Sequence, residues 1–511
     1  MSAKSFPVPS RAERRRAVRC KPVDRQQLLL RSVDVEKLVE EDHPVRAIWE
    51  LVDRSDLESF YEAIEVVEGE AGCSAWDPRV LISLWIYAYS RAVSSAREIS
   101  RRCEYDPAYQ WVTGVEVINH HTLSDFRTQH EQALDELFVQ VLGVLSHEGL
   151  VPLERVMHDG VKVEACASDK SFRREETLER HLEMARQQVK EMKEREAEEC
   201  CPEVRKRVAK ARERAVREKK ERLESALREL KEIQAVRCDP EKRQKVRAST
   251  TDPEARIMQQ PGGGFAPGYN VQISTDAKAT VIVGMGVSQA ANDMGELAPA
   301  MERMEANWGE VPQQVVVDGG YINQGAIGAM EAQGIDLIGP MPDHVSQTVA
   351  ALEKRGVAPE FFPQAFRYDE GRNCYVCPAG RDLAFESKEK SEGSARYRYR
   401  AKLADCQGCP SKGQCCPQSQ RRSLVRTEEP PEVRRHREKM ASESAREIYK
   451  QRSQVAEFPN AWIKEKFGLR RFRLRGLTKV RIEALWACLT YNICQWIRLC
   501  WRPKQAVSVE S

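Results

Sequence analysis

The sequence predicts a mixed α/β fold, and three observations carry that prediction. Short apolar runs end in an acid, at Val-Met-His-Asp-Gly (156–160) and at Val-Val-Val-Asp-Gly-Gly-Tyr (315–321). Strand-like and helix-like patterns alternate between about residues 269 and 338. Two long stretches of different composition interrupt the alternation, one highly charged and one rich in cysteine. The expected architecture is a mixed sheet covered on both faces. A flexible lead (1–30) and a helical N-terminal domain (31–150) precede it. The core spans 151–500, interrupted by a charged helical arm (172–247) and a cysteine-rich insertion (340–430), and a tail (501–511) follows.

The helical domain is read from start signals and periodicity. Asp77-Pro opens a helix, because Asp caps it and Pro fits its first turn. Ser95 is a candidate cap for a short helix ending near Arg102. Thr122-Leu-Ser-Asp125 resembles a capping box and opens one long amphipathic helix to about His147, with Phe126, Leu134, Leu137, Phe138 and Leu142 on its apolar side. Short helices with tight turns suit either DNA binding or dimerisation. The pattern turns strand-like at Val151–Ala165. The arm holds 24 Lys/Arg and 18 Asp/Glu, and it reads as a coiled-coil-like hairpin turning near Cys200-Cys201-Pro202 with no catalytic role.

After Pro240 the strand signals return. Tyr269–Thr275 and Thr280–Val287 read as neighbouring strands, Met294–Trp308 as a helix, Gln313–Val317 as a buried strand, Tyr321–Gln333 as a helix and Ile335–Ile338 as another strand. Asp318 would then stand at the carboxyl edge of its strand, where open α/β sheets bind ligands. Residues 340–430 read as loop- and turn-rich. Helices are expected at Pro431–Lys450 and Thr478–Cys500, the latter with tryptophans at core spacing.

Charge distribution is more telling than the net charge of +3. From Lys464 to Arg481, eight bases (Lys464, Lys466, Arg470, Arg471, Arg473, Arg475, Lys479, Arg481) meet one acid, Glu465. Such a stripe is an electrostatic footprint for a polyanion. No apolar stretch spans a bilayer, and the basic N-terminus lacks a signal-peptide core. The chain is therefore expected to be cytoplasmic, without a membrane partner.

Two constellations carry chemistry. Cys374-x2-Cys377 and Cys406-x2-Cys409 form paired knuckles, followed by Cys415 and Cys416. Four thiolates at this spacing fit a closed structural Zn²⁺ site, with Cys415 or Cys416 as a substitute ligand. The second constellation is Asp159, Asp318 and Glu457. Two strand-end acids and one helix acid can gather around hard divalent cations. Tyr449, Arg452 and Lys464 flank Glu457, with Pro459 between, and would grip phosphates. His158, beside Asp159 on one strand, points to the opposite face. His120-His121 read as turn or surface residues.

Several segments together resemble a known family. They are Met157-His-Asp-Gly with Ala165-x-Ala-Ser, Thr251-Asp-Pro-Glu-Ala-Arg, Gly268-Tyr-Asn-Val-Gln, Val316-Val-Asp-Gly-Gly-Tyr, and Tyr449…Lys464 followed by Arg475-Gly. Asp42-His-Pro-Val-Arg and His121-Thr-x3-Phe126-Arg127 extend the match to the N-terminus. In this order they resemble DDE-type transposases of bacterial insertion sequences, the group with a Tyr-Arg-Glu-Lys signature. The resemblance implies an RNase H-like core, with Asp159, Asp318 and Glu457 holding two Mg²⁺ ions that Mn²⁺ could replace. It implies DNA contacts by Tyr449, Arg452 and Lys464, while the basic run through Arg470, Arg471, Arg473 and Arg475 adds phosphate grip. The implied partners are double-stranded DNA, both element ends and target, and further copies of the chain, in a nucleoid-associated setting. The strict signature separates Arg from Glu by three residues, whereas four lie between Arg452 and Glu457. The alternative functions are a catalytically inactive DNA-binding scaffold and a metal-dependent nuclease that joins no strands.

Overall fold

The computed structural model describes residues 32–64, 74–196, 203–260, 262–341, 344–391 and 394–502. The expected lead, most of the expected tail and the Cys200–Pro202 turn lie outside these residues.

The N-terminal segment is helical: α1 (Pro44–Asp53), α2 (Pro78–Ser90), α3 (His120–Gln129) and α4 (Glu131–His147). Asp77 caps α2, its side chain accepting from the Arg79 amide at 2.8 Å. Ser95 stands at the start of Ala96–Arg102 but makes no side-chain cap bond. The helix expected from Thr122 begins earlier, because Asn119 caps it through the His121 amide at 2.9 Å. It also breaks at His130, whose ring packs on Phe126 and Phe60 with centroids 4.7 and 5.4 Å away. The single long helix of the sequence reading is therefore two.

The central sheet is built from β1 (Arg155–Glu164), β2 (Arg256–Gln259), β3 (Phe265–Asp276), β4 (Ile282–Ser288), β5 (Gln314–Val316) and β6 (Asp336–Ile338). Its order is β2-β3-β1-β5-β6, with β4 also paired to β3. β1, β3 and β4 run antiparallel to their neighbours among themselves, whereas β5 lies parallel to both β1 and β6. Parallel neighbours need crossovers. The one before β6 is α8 (Gln324–Ala332), and α7 (Leu297–Trp308) precedes β5. α5 (Glu175–Glu196) and α6 (Glu203–Val236) form the charged arm. Leu178, Leu182 and Ala185 of the first pack with Leu223, Ala226 and Leu230 of the second in a small core of their own.

The region expected to be loop-rich contains a second sheet. It comprises β7 (Arg367–Asp369), β8 (Cys374–Val376), β9 (Asp382–Ser391), β10 (Ser394–Ala401) and β11 (Ser423–Glu428), all antiparallel, in the order β11-β10-β9-β8-β7. Alternation explains it. Tyr397 and Tyr399 share one face of β10, and Arg396, Arg398 and Arg400 share the other. Tyr399 is fully buried, while Arg398 and Arg400 pair with Glu389 and Glu386 at 3.2 and 2.7 Å.

Four α-helices follow among the described residues: α9 (Pro431–Ala441), α10 (Glu443–Lys450), α11 (Arg452–Glu465) and α12 (Leu477–Trp496). The helix expected over Pro431–Lys450 breaks at Ser442, which is extended and caps α10. Pro459 lies inside α11 without ending it. α12 is buried on nearly all sides. It packs against α2, α4 and β4, so the N-terminal helices and the central sheet share one continuous core. Tyr89 stacks on Trp486 with centroids 6.5 Å apart and planes 5° apart. The Asn492 side chain bonds both the amide and the carbonyl of Ile282, at 2.9 and 2.8 Å. Replacing it with Leu leaves two buried backbone groups short of a partner. Asn492→Leu is expected to cost roughly 2–4 kcal/mol, read from denaturant unfolding of the full chain, and an unchanged midpoint would refute that role.

Candidate functional site

Strand register sets the site. β1 and β5 pair in parallel with Met157 opposite Val316. Asp159 and Asp318 each lie two residues beyond that last rung, so they emerge side by side on the same sheet face. The same face carries Met157, Val316 and Ile338, covered by Ala445 and Ala456 of α10 and α11 with Tyr449 at the margin. Alanine at both positions lets the helices lie close to the sheet.

Asp159 is drawn toward α11. Its Oδ1 faces Arg452 Nη1 at 3.4 Å, and its Oδ2 accepts from Asn460 Nδ2 at 3.1 Å. The side chain is 18 % exposed. Burial pushes its carboxyl up to about 6, the Arg452 charge opposes the rise, and the Asp318 charge adds to it. Asp318 is half-buried and accepts from the Gly320 amide at 2.7 Å, so it also caps its own turn. Lys464 is half-buried within electrostatic reach of Asp159, and desolvation lowers its pKa. Arg452 sits 6.0 Å over the Tyr449 ring although the helix divides at Gln451.

Glu457 is on α11 but exposed. Among the described residues no hydrogen bond or ion pair joins it to Asp159 or Asp318. The structure thus brings two of the three expected acids together, and α11 presents Arg452 and Asn460 to Asp159 instead of Glu457. Among the described residues no group of three or more His, Cys, Asp or Glu side chains stands ready to hold a metal ion. The donor set still fits a hard cation: the desolvated Asp159 carboxylate feels the Asp318 charge, and the buried Asn460 Oδ1 has no hydrogen-bond partner.

Behind Asp159, on the opposite face of β1, lies a polar network that sequence reasoning missed. Asp293 Oδ1 accepts from Lys162 Nζ (2.9 Å), Asn270 Nδ2 (2.7 Å) and Gln272 Nε2 (2.9 Å). Gln272 Oε1 bonds Tyr321 Oη at 2.6 Å and His158 Nε2 at 2.9 Å. His158 is fully buried, and burial lowers its pKa to about 4, so it is a neutral structural residue. Gly160 is required there. A Cβ would collide with Asp293 Oδ1 and stand 2.6 Å from Gln272 Nε2 and 2.9 Å from Tyr321 Oη. The only sequence signal was polar residues at strand positions such as Asn270 and Gln272.

The basic loop is held by carboxylates. Glu483, fully buried, accepts from the Arg473 and Leu474 amides at 3.0 and 2.9 Å. Asp252 accepts from the Gly476 amide at 3.1 Å, and Glu254 from the Leu477 amide at 2.8 Å. Phe472 is buried beneath. Arg470, Arg471, Arg473 and Arg475 are exposed, with Arg471 on Glu164 at 2.8 Å and Arg473 on Ser94 at 2.6 Å.

The cysteines converge incompletely. Cys377, Cys406, Cys409, Cys415 and Cys416 line one cavity of about 30 Å³, with Arg422 beside them. Burial pushes the Cys415 thiol up to about 12 and raises Cys416 as well. Cys374, on β8, is buried but does not line the cavity.

Two outcomes follow from this geometry. The folded-state pKa of Asp159 lies above its unfolded value of 3.8. The native state therefore holds the proton more tightly, and stability falls as pH rises from about 3.8 to about 6 and levels off above it. Asp159→Asn is expected to stabilise the metal-free chain at pH 8 by roughly 1–3 kcal/mol, a gain that shrinks through pH 6 and is gone by pH 4. Thermal melts in chelator across that range read the effect, and a pH-independent difference would refute it. Gly160→Ala is expected to destabilise the chain by about 1–3 kcal/mol through overpacking, and wild-type unfolding behaviour would show that the network yields freely.

Two family models match the chain. Residues 33–129, the N-terminal helices, match a transposase domain (DUF772), and residues 376–497 match a transposase DDE domain. The second match runs from the cysteine-rich sheet through α11 into α12, and Asp159 and Asp318 lie between the two. No curated protein and no solved structure matches the chain. Transposase models thus match the chain at both ends, in the order its motifs predict, which supports an insertion-sequence DDE transposase.

Proposed function

We propose that the chain binds the terminal inverted repeats of its own element, cuts the DNA there and joins the ends to target DNA. The observation that carries this reading is the Asp159–Asp318 pair, two acids side by side past the last rung of a parallel strand pair. The mixed sheet, with β4-β3-β1 antiparallel and β1-β5-β6 parallel, fits an RNase H-like core. Asp159 and Asp318 would hold Mg²⁺, or Mn²⁺ in its place, with Glu457 joining as α11 adjusts. Bound Mg²⁺ supplies charge stabilisation and a more acidic water.

The protein's own groups do the rest. Arg452, Lys464 and Tyr449 border the pair and suit a scissile phosphate. Arg470, Arg471, Arg473 and Arg475 extend a phosphate grip from a loop whose backbone is fixed by Glu483, Asp252 and Glu254. The exposed pairs of Arg470 and Arg471 with Glu465 and Glu164 exchange readily for phosphate. Double-stranded DNA is the proposed partner, with assembly of further copies on it. No helix among the described residues is long and apolar enough to cross a membrane.

A structural Zn²⁺ in the second sheet is part of the reading. Its proposed ligands are Cys377, Cys406 and Cys409 with Cys415 or Cys416, thiols that line one cavity. Cys374 of the expected set is not among them. Metal analysis is expected to find about one zinc per chain, retained in Cys374→Ser and lost in Cys377→Ser or Cys409→Ser. A zinc-free protein would refute the site.

The decisive test is strand transfer with end-containing DNA and Mg²⁺. Asp159→Ala and Asp318→Ala are each expected to reduce joining by at least about a thousandfold, and Glu457→Ala likewise if it completes the set. Joining that survives the aspartate substitutions would overturn the proposal. Cleavage without joining would assign a nuclease, and DNA binding with neither would assign a scaffold.

A further inference from the structure

We infer that the amide oxygen of Asn460 is an additional ligand for the divalent cation at the Asp159–Asp318 site. This rests on the reading of the two aspartates as a metal-binding pair. Asn460 lies on α11 and is 8 % exposed. Its Nδ2 donates to Asp159 Oδ2 at 3.1 Å, and its Oδ1 has no hydrogen-bond partner among the described residues. An orphaned buried carbonyl is costly, by about 1–3 kcal/mol, so the site holds a hard oxygen donor without a donor or cation to meet it.

Geometry gives that oxygen a use. The two ends of an amide are nearly the same size. Rotating the Asn460 amide half a turn therefore puts Oδ1 where Nδ2 now stands, 3.1 Å from Asp159 Oδ2. An octahedral Mg²⁺ with bonds of about 2.0–2.1 Å has adjacent ligand oxygens about 3 Å apart. The span now closed by an N–H···O bond is thus also an edge of the coordination polyhedron. A cation seated on that edge satisfies both oxygens at once.

Charge favours an amide there. Asp159 already feels the charges of Asp318 and Asp293, and a further carboxylate in the buried layer would add to that repulsion. A neutral oxygen donor adds a ligand without adding charge. Glu457 precedes Asn460 by three residues on the same helix, a spacing that puts the two on neighbouring positions. The exposed Glu457 is then able to close the coordination from the solvent side while Asn460 works from the buried side.

Mn²⁺ titration calorimetry on the full chain at pH 8, without DNA, tests this. Asn460→Ala is expected to weaken binding at least tenfold. Asn460→Asp keeps an oxygen at the position and removes the N–H, so it is expected to bind as tightly as wild type or more so. Wild-type affinity in Asn460→Ala would overturn the inference. So would an equal loss in Asn460→Asp, which would make Asn460 only a hydrogen-bond donor to Asp159. If Asn460→Ala gives no cooperative thermal transition, Asn460→Asp alone decides by the same criterion. Asp159→Asn is expected to abolish Mn²⁺ binding. Unchanged binding there would overturn the two-aspartate reading itself, a result distinct from failure at Asn460.

Discussion

Three rungs of parallel pairing carry the rest of this structure. Arg155, Val156 and Met157 lie beside Gln314, Val315 and Val316. Residues of the arm, of the β2–β4 meander and of α7 separate the two strands in sequence, and the ladder alone makes Asp159 and Asp318 neighbours. A slip of one residue would turn one aspartate to the opposite face of the sheet, toward His158 and Tyr321. Burial resists that slip. Val156, Met157, Val315 and Val316 are all inaccessible to solvent, so a shifted register would expose the faces that now pack.

The two faces of β1 serve different purposes. One is dry and close to α10 and α11, with Ala445 and Ala456 as spacers. The other carries hydrogen-bonded polar side chains around Asp293, with Gly160 leaving the room they need. Lys162 and Asp293 form a pair with 12 % and 21 % side-chain exposure. Removing one member of such a pair strands the other in a low-dielectric setting. The network therefore holds the strand from behind while its front face stays open to α11. Farther along, Glu164 bonds backbone to backbone with Arg470 and Phe472, which ties the far end of β1 to the basic loop.

The sequence was legible where period and chemistry agreed. Asp318 just past its strand, the Asp77 cap and the buried face of α12 announce themselves locally, whereas Asp159, expected at a strand end, lies in the middle of β1 because its pairing with β3 continues to Glu164. It was less legible where the deciding fact is a tertiary contact. His130 breaks a helix by packing on Phe60 and Phe126, and nothing adjacent to it in sequence says so. The second sheet was hidden because its outward positions are charged and its strands short, although the Arg396–Arg400 alternation was visible. Asn460 was invisible for a different reason: attention fell on the charged residues of α11, and a neutral amide beside Pro459 carries no motif. The Cys374-x2-Cys377 spacing likewise does not report that only Cys377 of the two lines the cysteine cavity.

The resting arrangement of α11 is a charge argument. Asp159 is desolvated and stands near Asp318, so an unshielded carboxylate there is unfavourable. The chain supplies a partial substitute for a cation from one helix, a guanidinium on Oδ1 and an amide N–H on Oδ2. Neither bond is short, and Arg452 at 3.4 Å is a loose partner. On the proposed reading, a divalent ion would bring twice the charge to closer range, about 2.0–2.1 Å for Mg²⁺, and would compete with both donors for the same oxygens. Arg452 would then be free beside the ion, and its guanidinium suits a phosphate. α11 thus covers the aspartate in this structure, and on the proposed reading the same helix would offer Arg452, Asn460 and Glu457 to the ion and the DNA.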